Sequence, residues 1–119
     1  MNFNANWEKA EMLNGKKLGI LIISSPEKGD GELIYGIVKE AISQGIEVKV
    51  FLMGDGILYL KKKLTKEIVG LGAHVIFCAQ NARERFISPN ENLKGFIEEG
   101  SQYDLACIME ESDRFIAFS

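Results

Sequence analysis

The chain has 119 residues, 46% of them hydrophobic and 26% charged, with a net charge of −3; this is the composition of one soluble globular domain with its own core. The acidic balance, with a pI near 5.2, argues against a nucleic-acid footprint, which wants a basic surface, and no apolar run reaches the length of a membrane span. Two cysteines, Cys78 and Cys107, and a single histidine, His74, make neither a disulfide framework nor a metal-ligand spacing, and no signal-peptide pattern opens the chain, so the expectation is a cytoplasmic protein with free thiols and no metal or cofactor.

Residues 1–16 read as an appendage, with a short helix over Ala5–Leu13 that places Trp7, Ala10 and Leu13 on one face. The domain proper runs over 17–119. Its first strand is Lys17–Ser24, whose nearly continuous run of Leu18, Ile20, Leu21, Ile22 and Ile23 suits a strand covered on both faces. A loop, Ser24–Gly31, leads to a helix over Glu32–Gln44 with Leu33, Ile34, Ile37, Val38, Ala41 and Ile42 at helical spacing, stopped by Gly45. Glu47–Met53 is the second strand, and Gly54-Asp55-Gly56 turns the chain into a helix from Ile57 or Leu58 to Val69, with Lys61, Lys62, Lys63 and Lys66 on or beside its solvated face. His74–Phe77 is the third strand. Ser88-Pro89-Asn90-Glu91 has the form of a helix start with a capping box, predicting a helix that buries Leu93, Phe96 and Ile97 and ends at Gly100. Tyr103–Met109 reads as the fourth strand, with Cys107 packed inside it, and Arg114–Phe118 as the fifth.

Strands alternating with helices imply an α/β fold: a three-layer α/β/α sandwich with a mainly parallel five-stranded sheet. In such sheets functional groups gather beyond the carboxyl ends of the strands. Ser24–Gly31, Gly54–Gly56 and Cys78–Arg85 meet there.

The most informative stretch is His74–Arg85, H-V-I-F-C-A-Q-N-A-R-E-R. Cys78 ends the apolar strand, and the residues after it prefer helix, so its sulfur meets the unsatisfied N–H groups and positive end of that helix, which favours thiolate over thiol. Ala79 and Gln80 supply the amides that follow the sulfur, Arg83 and Arg85 would add positive charge if they curl back, and Gly54, Asp55 and Gly56 would shape the pocket. A lone cysteine is more often an inert core residue; position at the sheet edge tips the balance here. The absence of a cysteine at position 81 excludes a thioredoxin-like dithiol, and His74, at the strand's opposite end, is badly placed as a base. Gly29-Asp30-Gly31 lacks the spacing of a phosphate loop or dinucleotide fingerprint.

The pattern resembles the DsrE/DsrF-like family, which includes the TusD/YchN-type sulfur-relay proteins, from about Lys17 to Phe118. The resemblance rests on V-F-L-M-G-D-G (Val50–Gly56), G-L-G (Gly70–Gly72), H-V-I-F-C (His74–Cys78), the C-x-x-x-A-x-x-R arrangement of Cys78, Ala82 and Arg85, and the ending D-R-F-I-A-F (Asp113–Phe118). It implies the same α/β sandwich, a cysteine matching Cys78 that takes sulfane sulfur as a persulfide and hands it to a partner thiol, donor and acceptor proteins as partners, and assembly as a trimer or hexamer. The chain departs from the pattern in having Phe86 where many members have glycine, in lacking a second nearby cysteine, and in its Ser24–Gly31 loop. Beside a sulfur carrier, two readings stay open: an oligomeric binding or assembly module that holds a small anion or nucleotide with Cys78 inert, and a thiol redox sensor.

Overall fold

The computed structural model describes residues 14–119, so the expected helix over Ala5–Leu13 lies outside the described residues. Five strands, β1 (Lys17–Ile22), β2 (Glu47–Leu52), β3 (His74–Cys78), β4 (Glu98–Gly100) and β5 (Arg114–Phe118), form one sheet in the order β4-β3-β2-β1-β5. Every neighbouring pair is parallel. The helices are α1 (Gly31–Ser43), α2 (Lys63–Leu71), α3 (Ala79–Glu84) and α4 (Gln102–Glu111), with short 3-10 segments at Pro26–Lys28, Gly54–Lys61 and Glu91–Leu93.

Side chains alternate across a strand, and the sheet therefore has two cores. Ile20, Ile22, Val50, Leu52, Val75 and Phe77 point to one face, where Ile34 and Val38 of α1, Ile68 of α2, Ala82 of α3 and the 3-10 residues Ile57, Tyr59 and Leu60 cover them. Leu21, Phe51, Ile76 and Cys78 point to the other, where Leu105 and Ile108 of α4 complete a smaller cluster. Helices lie on both faces, as the sequence implied. The fully buried Phe51 anchors the smaller core, a position where truncation to alanine costs about 3–5 kcal/mol. Gly19 lets α4 approach the sheet: a Cβ there would fall 2.6 Å from Ser112 Oγ and 2.8 Å from Ile108 Cγ2.

Three sequence expectations are corrected. The helix expected from Ile57 to Val69 is two pieces, a 3-10 segment and α2, separated at Lys62, whose backbone is extended. The Tyr59 carbonyl holds this break, accepting from Lys62 N at 3.0 Å and Thr65 Oγ1 at 2.6 Å. The helix expected from Ser88 to Gly100 is a single 3-10 turn at Glu91–Leu93. Gly95 then takes φ +89°, and Glu98–Gly100 pairs with Ile76–Cys78 as β4. Leu93 is buried but Phe96 is exposed, so the expected apolar stripe has no face to meet.

The stretch expected as the fourth strand, Tyr103–Met109, is helix α4. Its capping box decides the start: Ser101 Oγ accepts from the Tyr103 N–H at 3.2 Å, and Asp104 Oδ2 accepts from the Ser101 N–H at 2.8 Å. Leu105 and Ile108, three apart, turn inward while Ala106 and Met109 face out, a helical period rather than the alternation of a strand. Cys107 accordingly sits half-buried on a helix, not inside the sheet.

Candidate functional site

The carboxyl ends of β2, β3 and β4 lie side by side at Cys78. The residue closes β3 and is also the N-cap of α3, and its Sγ accepts from the Asn81 N–H at 3.5 Å. Its side chain points to the α4 face, against Phe51, Ile76 and Leu105, and is only 4% exposed. Gln102, the first residue of α4, covers it: the Gln102 Nε2 lies 3.9 Å from Cys78 Sγ and 3.9 Å from Met53 Sδ.

Gly54-Asp55-Gly56 sits beside this junction and is tied to it. The Gly54 N–H donates to Asn81 Oδ1 at 2.9 Å, so one side chain bridges the turn after β2 and the turn after β3. The Gly56 N–H donates to the carbonyls of Ile23 at 3.1 Å and Met53 at 2.9 Å. Its Cα packs so closely on β1 that a Cβ would lie 2.1 Å from the Ile22 oxygen, which only glycine permits.

Arg85 reaches toward this turn: its NH2 lies 3.4 Å from Asp55 Oδ1 and its NH1 donates to the Asn81 carbonyl at 3.5 Å. The Asp55 side chain is 65% exposed, so the pair contributes at most about 1 kcal/mol. Arg83 is exposed and forms no ion pair among the described residues. Ala79 is half-buried behind the sulfur, and Gln80 faces solvent, where its Nε2 donates to Glu84 at 3.1 Å.

The expected site residues therefore separate. Cys78, Gly54, Asp55, Gly56 and Arg85 belong to one connected edge through Asn81; Gln80 and Arg83 stand on the outside of α3. Asn81, Met53 and Gln102 were not anticipated. Asn81 had a faint signal, an amide side chain one turn into a helix opened by the cysteine. Gln102 had none, because the residues that follow it, Tyr103–Met109, read as a strand.

His74 occupies the opposite end of β3 from Cys78, about 13 Å away by strand rise, with its Nε2 2.8 Å from Glu98 Oε1; it is no base for the thiol. Ser24 is buried on the β1 side of the edge, its Oγ donating to Asp30 Oδ2 at 3.5 Å. Among the described residues no group of three or more His, Cys, Asp or Glu side chains is placed to hold a metal, and no helix is long and apolar enough to cross a membrane.

Comparison with known proteins follows the same boundaries. The sequence model of the DsrE/DsrF-like family matches residues 16–118, and the chain belongs to that family. It is 26% identical, over 116 residues, to the uncharacterized protein MJ0989 of Methanocaldococcus jannaschii, covering 86% of this chain and 99% of that one. It is 30% identical, over 89 residues, to the uncharacterized protein MK0008 of Methanopyrus kandleri, covering 66% of this chain and 73% of that one. Among solved structures, the ychN protein of E. coli superposes with a TM-score of 0.71 at 17% identity, covering 87% of this chain and 99% of that one. A protein of unknown function from Methanobacterium thermoautotrophicum, MTH1491, superposes with a TM-score of 0.65 at 12% identity, covering 85% and 98%. These likenesses carry the fold.

Proposed function

We propose that this DsrE/DsrF-like protein is a small sulfur carrier that takes sulfane sulfur as a persulfide on Cys78 and passes it to a partner thiol. The observation that supports the reading most is the place of Cys78: a thiol at the junction of β3 and α3, on the carboxyl edge of a parallel sheet, receiving the Asn81 N–H and approached by the Gln102 amide at the start of α4. The family, whose resemblance implies the same chemistry, supports it independently.

In the loading step the Cys78 thiolate attacks the outer sulfur of a donor persulfide. A new S–S bond forms on Cys78, the donor's S–S bond breaks, and the donor leaves as its thiolate. In the unloading step an acceptor thiolate attacks the outer sulfur and Cys78 leaves as thiolate, so nothing is oxidised or reduced overall. Loading extends the side chain by one S–S bond, about 2.05 Å. The Asn81 N–H and the Gln102 amide are donors to the sulfur, and the Arg85–Asp55 ion pair lies beside them. The same proposal includes a cytoplasmic protein assembled as a trimer or hexamer, with exposed Tyr103 and Met109 on α4 as apolar surface for a neighbouring copy.

Intact mass after exposure to polysulfide tests the reading in native protein, Cys78→Ser and Cys107→Ser. Gain of one sulfur that reductant reverses, lost in Cys78→Ser and kept in Cys107→Ser, is the expected result. No adduct on folded protein, together with slow alkylation of Cys78, sinks it. One observation favours a second reading: a thiol 4% exposed also suits an inert core residue of a binding or assembly module, and slow alkylation would put that reading in front.

A further inference from the structure

The densest positive charge on this acidic chain lies away from Cys78. Lys61 ends the 3-10 segment, Lys62 forms the break before α2, and Lys63 and Lys66 stand in the first turns of α2. All four line one concavity of about 580 Å³. None of them makes an ion pair among the described residues, and the first turn of α2 contains no acidic residue. Lysines gathered at the positive end of a helix repel one another and oppose its dipole. An anion in the concavity would relieve that repulsion.

The opposite wall adds polar donors and an apolar half. Asn90 and Asn92 line the basic concavity with Leu93. A second concavity of about 270 Å³ shares Lys66, Gly70, Asn92 and Leu93 with it, and is otherwise lined by Val69 and the ring of Phe96. Phe96 is 67% exposed, an aromatic face open to stacking. Together the two spaces fall in the size range of small-molecule sites, charged and polar at one end and lined by Val69, Leu93 and Phe96 at the other. Glu67 also borders the basic part, one carboxylate against four lysines, so the concavity keeps a net positive charge.

We propose that this paired concavity binds a phosphorylated small molecule with a flat apolar body, the chemistry of a nucleoside diphosphate: the phosphates on Lys61, Lys62, Lys63 and Lys66, the ring against Phe96. The site is independent of the sulfur-carrier reading, since no residue touching Cys78 lines it.

Titration calorimetry at constant ionic strength tests it on the full chain, with ADP, pyrophosphate and a glutamate decapeptide as probes. ADP binds with one-to-one saturation. Lys62→Gln with Lys63→Gln weakens ADP and pyrophosphate roughly tenfold or more, from the loss of charge-assisted contacts. The distant pair Lys28→Gln with Lys39→Gln, an equal change in net charge, leaves both unchanged. Phe96→Ala weakens ADP by about fivefold and leaves pyrophosphate alone. Lys61→Gln with Lys66→Gln repeats the loss from a second direction, and far-UV circular dichroism shows which variants are folded. No saturable ADP binding, equal weakening in the distant pair, an indifferent Phe96→Ala or tighter binding of the decapeptide each overturns the proposal.

Discussion

Removing the Gln102 side chain isolates what shields the thiol. Gln102 Nε2 is 3.9 Å from both Cys78 Sγ and Met53 Sδ, at the outer limit of a sulfur contact, so its hold is weak, about 0.5–1 kcal/mol. Gln102 is otherwise exposed and opens α4, where alanine is at least as good a helix former. Stability of Gln102→Ala should therefore stay within about 0.5 kcal/mol of the native protein. The thiol loses its lid, and alkylation of Cys78 by iodoacetamide should accelerate roughly twofold to fivefold, the factor that corresponds to the lost contact. The assay is intact mass against time under native conditions, in a Cys107→Ser background so that a single thiol reports. Gln102→Leu separates bulk from polarity: it keeps the cover, and if steric shielding dominates the rate stays low. Equal rates in native protein and Gln102→Ala would refute the reasoning and assign the protection to Phe51, Ile76 and Leu105, in which case the rate should rise only with denaturant.

Phe86→Gly should stabilise the fold by about 1 kcal/mol in urea unfolding, because Phe86 is 96% exposed and holds φ +55° after α3, where glycine carries no strain; a destabilised variant would mean that the ring has a partner. Tyr59→Phe should be neutral or stabilising by up to about 1 kcal/mol. The phenol is buried with no hydrogen-bond partner among the described residues, and burial, then the charge of Asp30, pushes its pKa up. A clear loss of stability would contradict this. The ion pair of Lys49 Nζ and Glu111 Oε1 at 2.6 Å predicts a pH dependence of definite sign. The hydrogen bond between them raises Lys49 and lowers Glu111, so the stability they add is full from above the ordinary glutamate pKa to below the ordinary lysine pKa. It is lost as pH falls through the depressed Glu111 value and as pH rises through the raised Lys49 value. Glu111→Gln should lower the urea midpoint slightly near neutrality, and the gap should close at the acid end; a gap that persists there would show that the effect is not electrostatic.

The sequence by itself determined the α/β class, the positions of β1, β2, β3 and β5, the amphipathic α1, and the junction at which Cys78 ends a strand and opens a helix. Those features are local. A continuous β-branched run, a helical stripe and a glycine stop each carry their signal within a few residues. The region from Ser88 to Glu111 was decided by tertiary structure. Glu98-Glu99-Gly100 contains no apolar residue and has no strand signature; it becomes β4 because the open edge of Ile76–Cys78 offers backbone partners. Tyr103–Met109 has a short mixed apolar pattern that fits either period, and it becomes α4 because the β1–β3 face needs Leu105 and Ile108 as cover, with Ser101 and Asp104 supplying the cap. The same ambiguity hid the surroundings of the site. Gln102 reaches Cys78 across 24 residues of chain and Asn81 reaches Gly54 across 27. Such contacts arise only when the strand order places three turns side by side, and no local pattern of residues encodes that order.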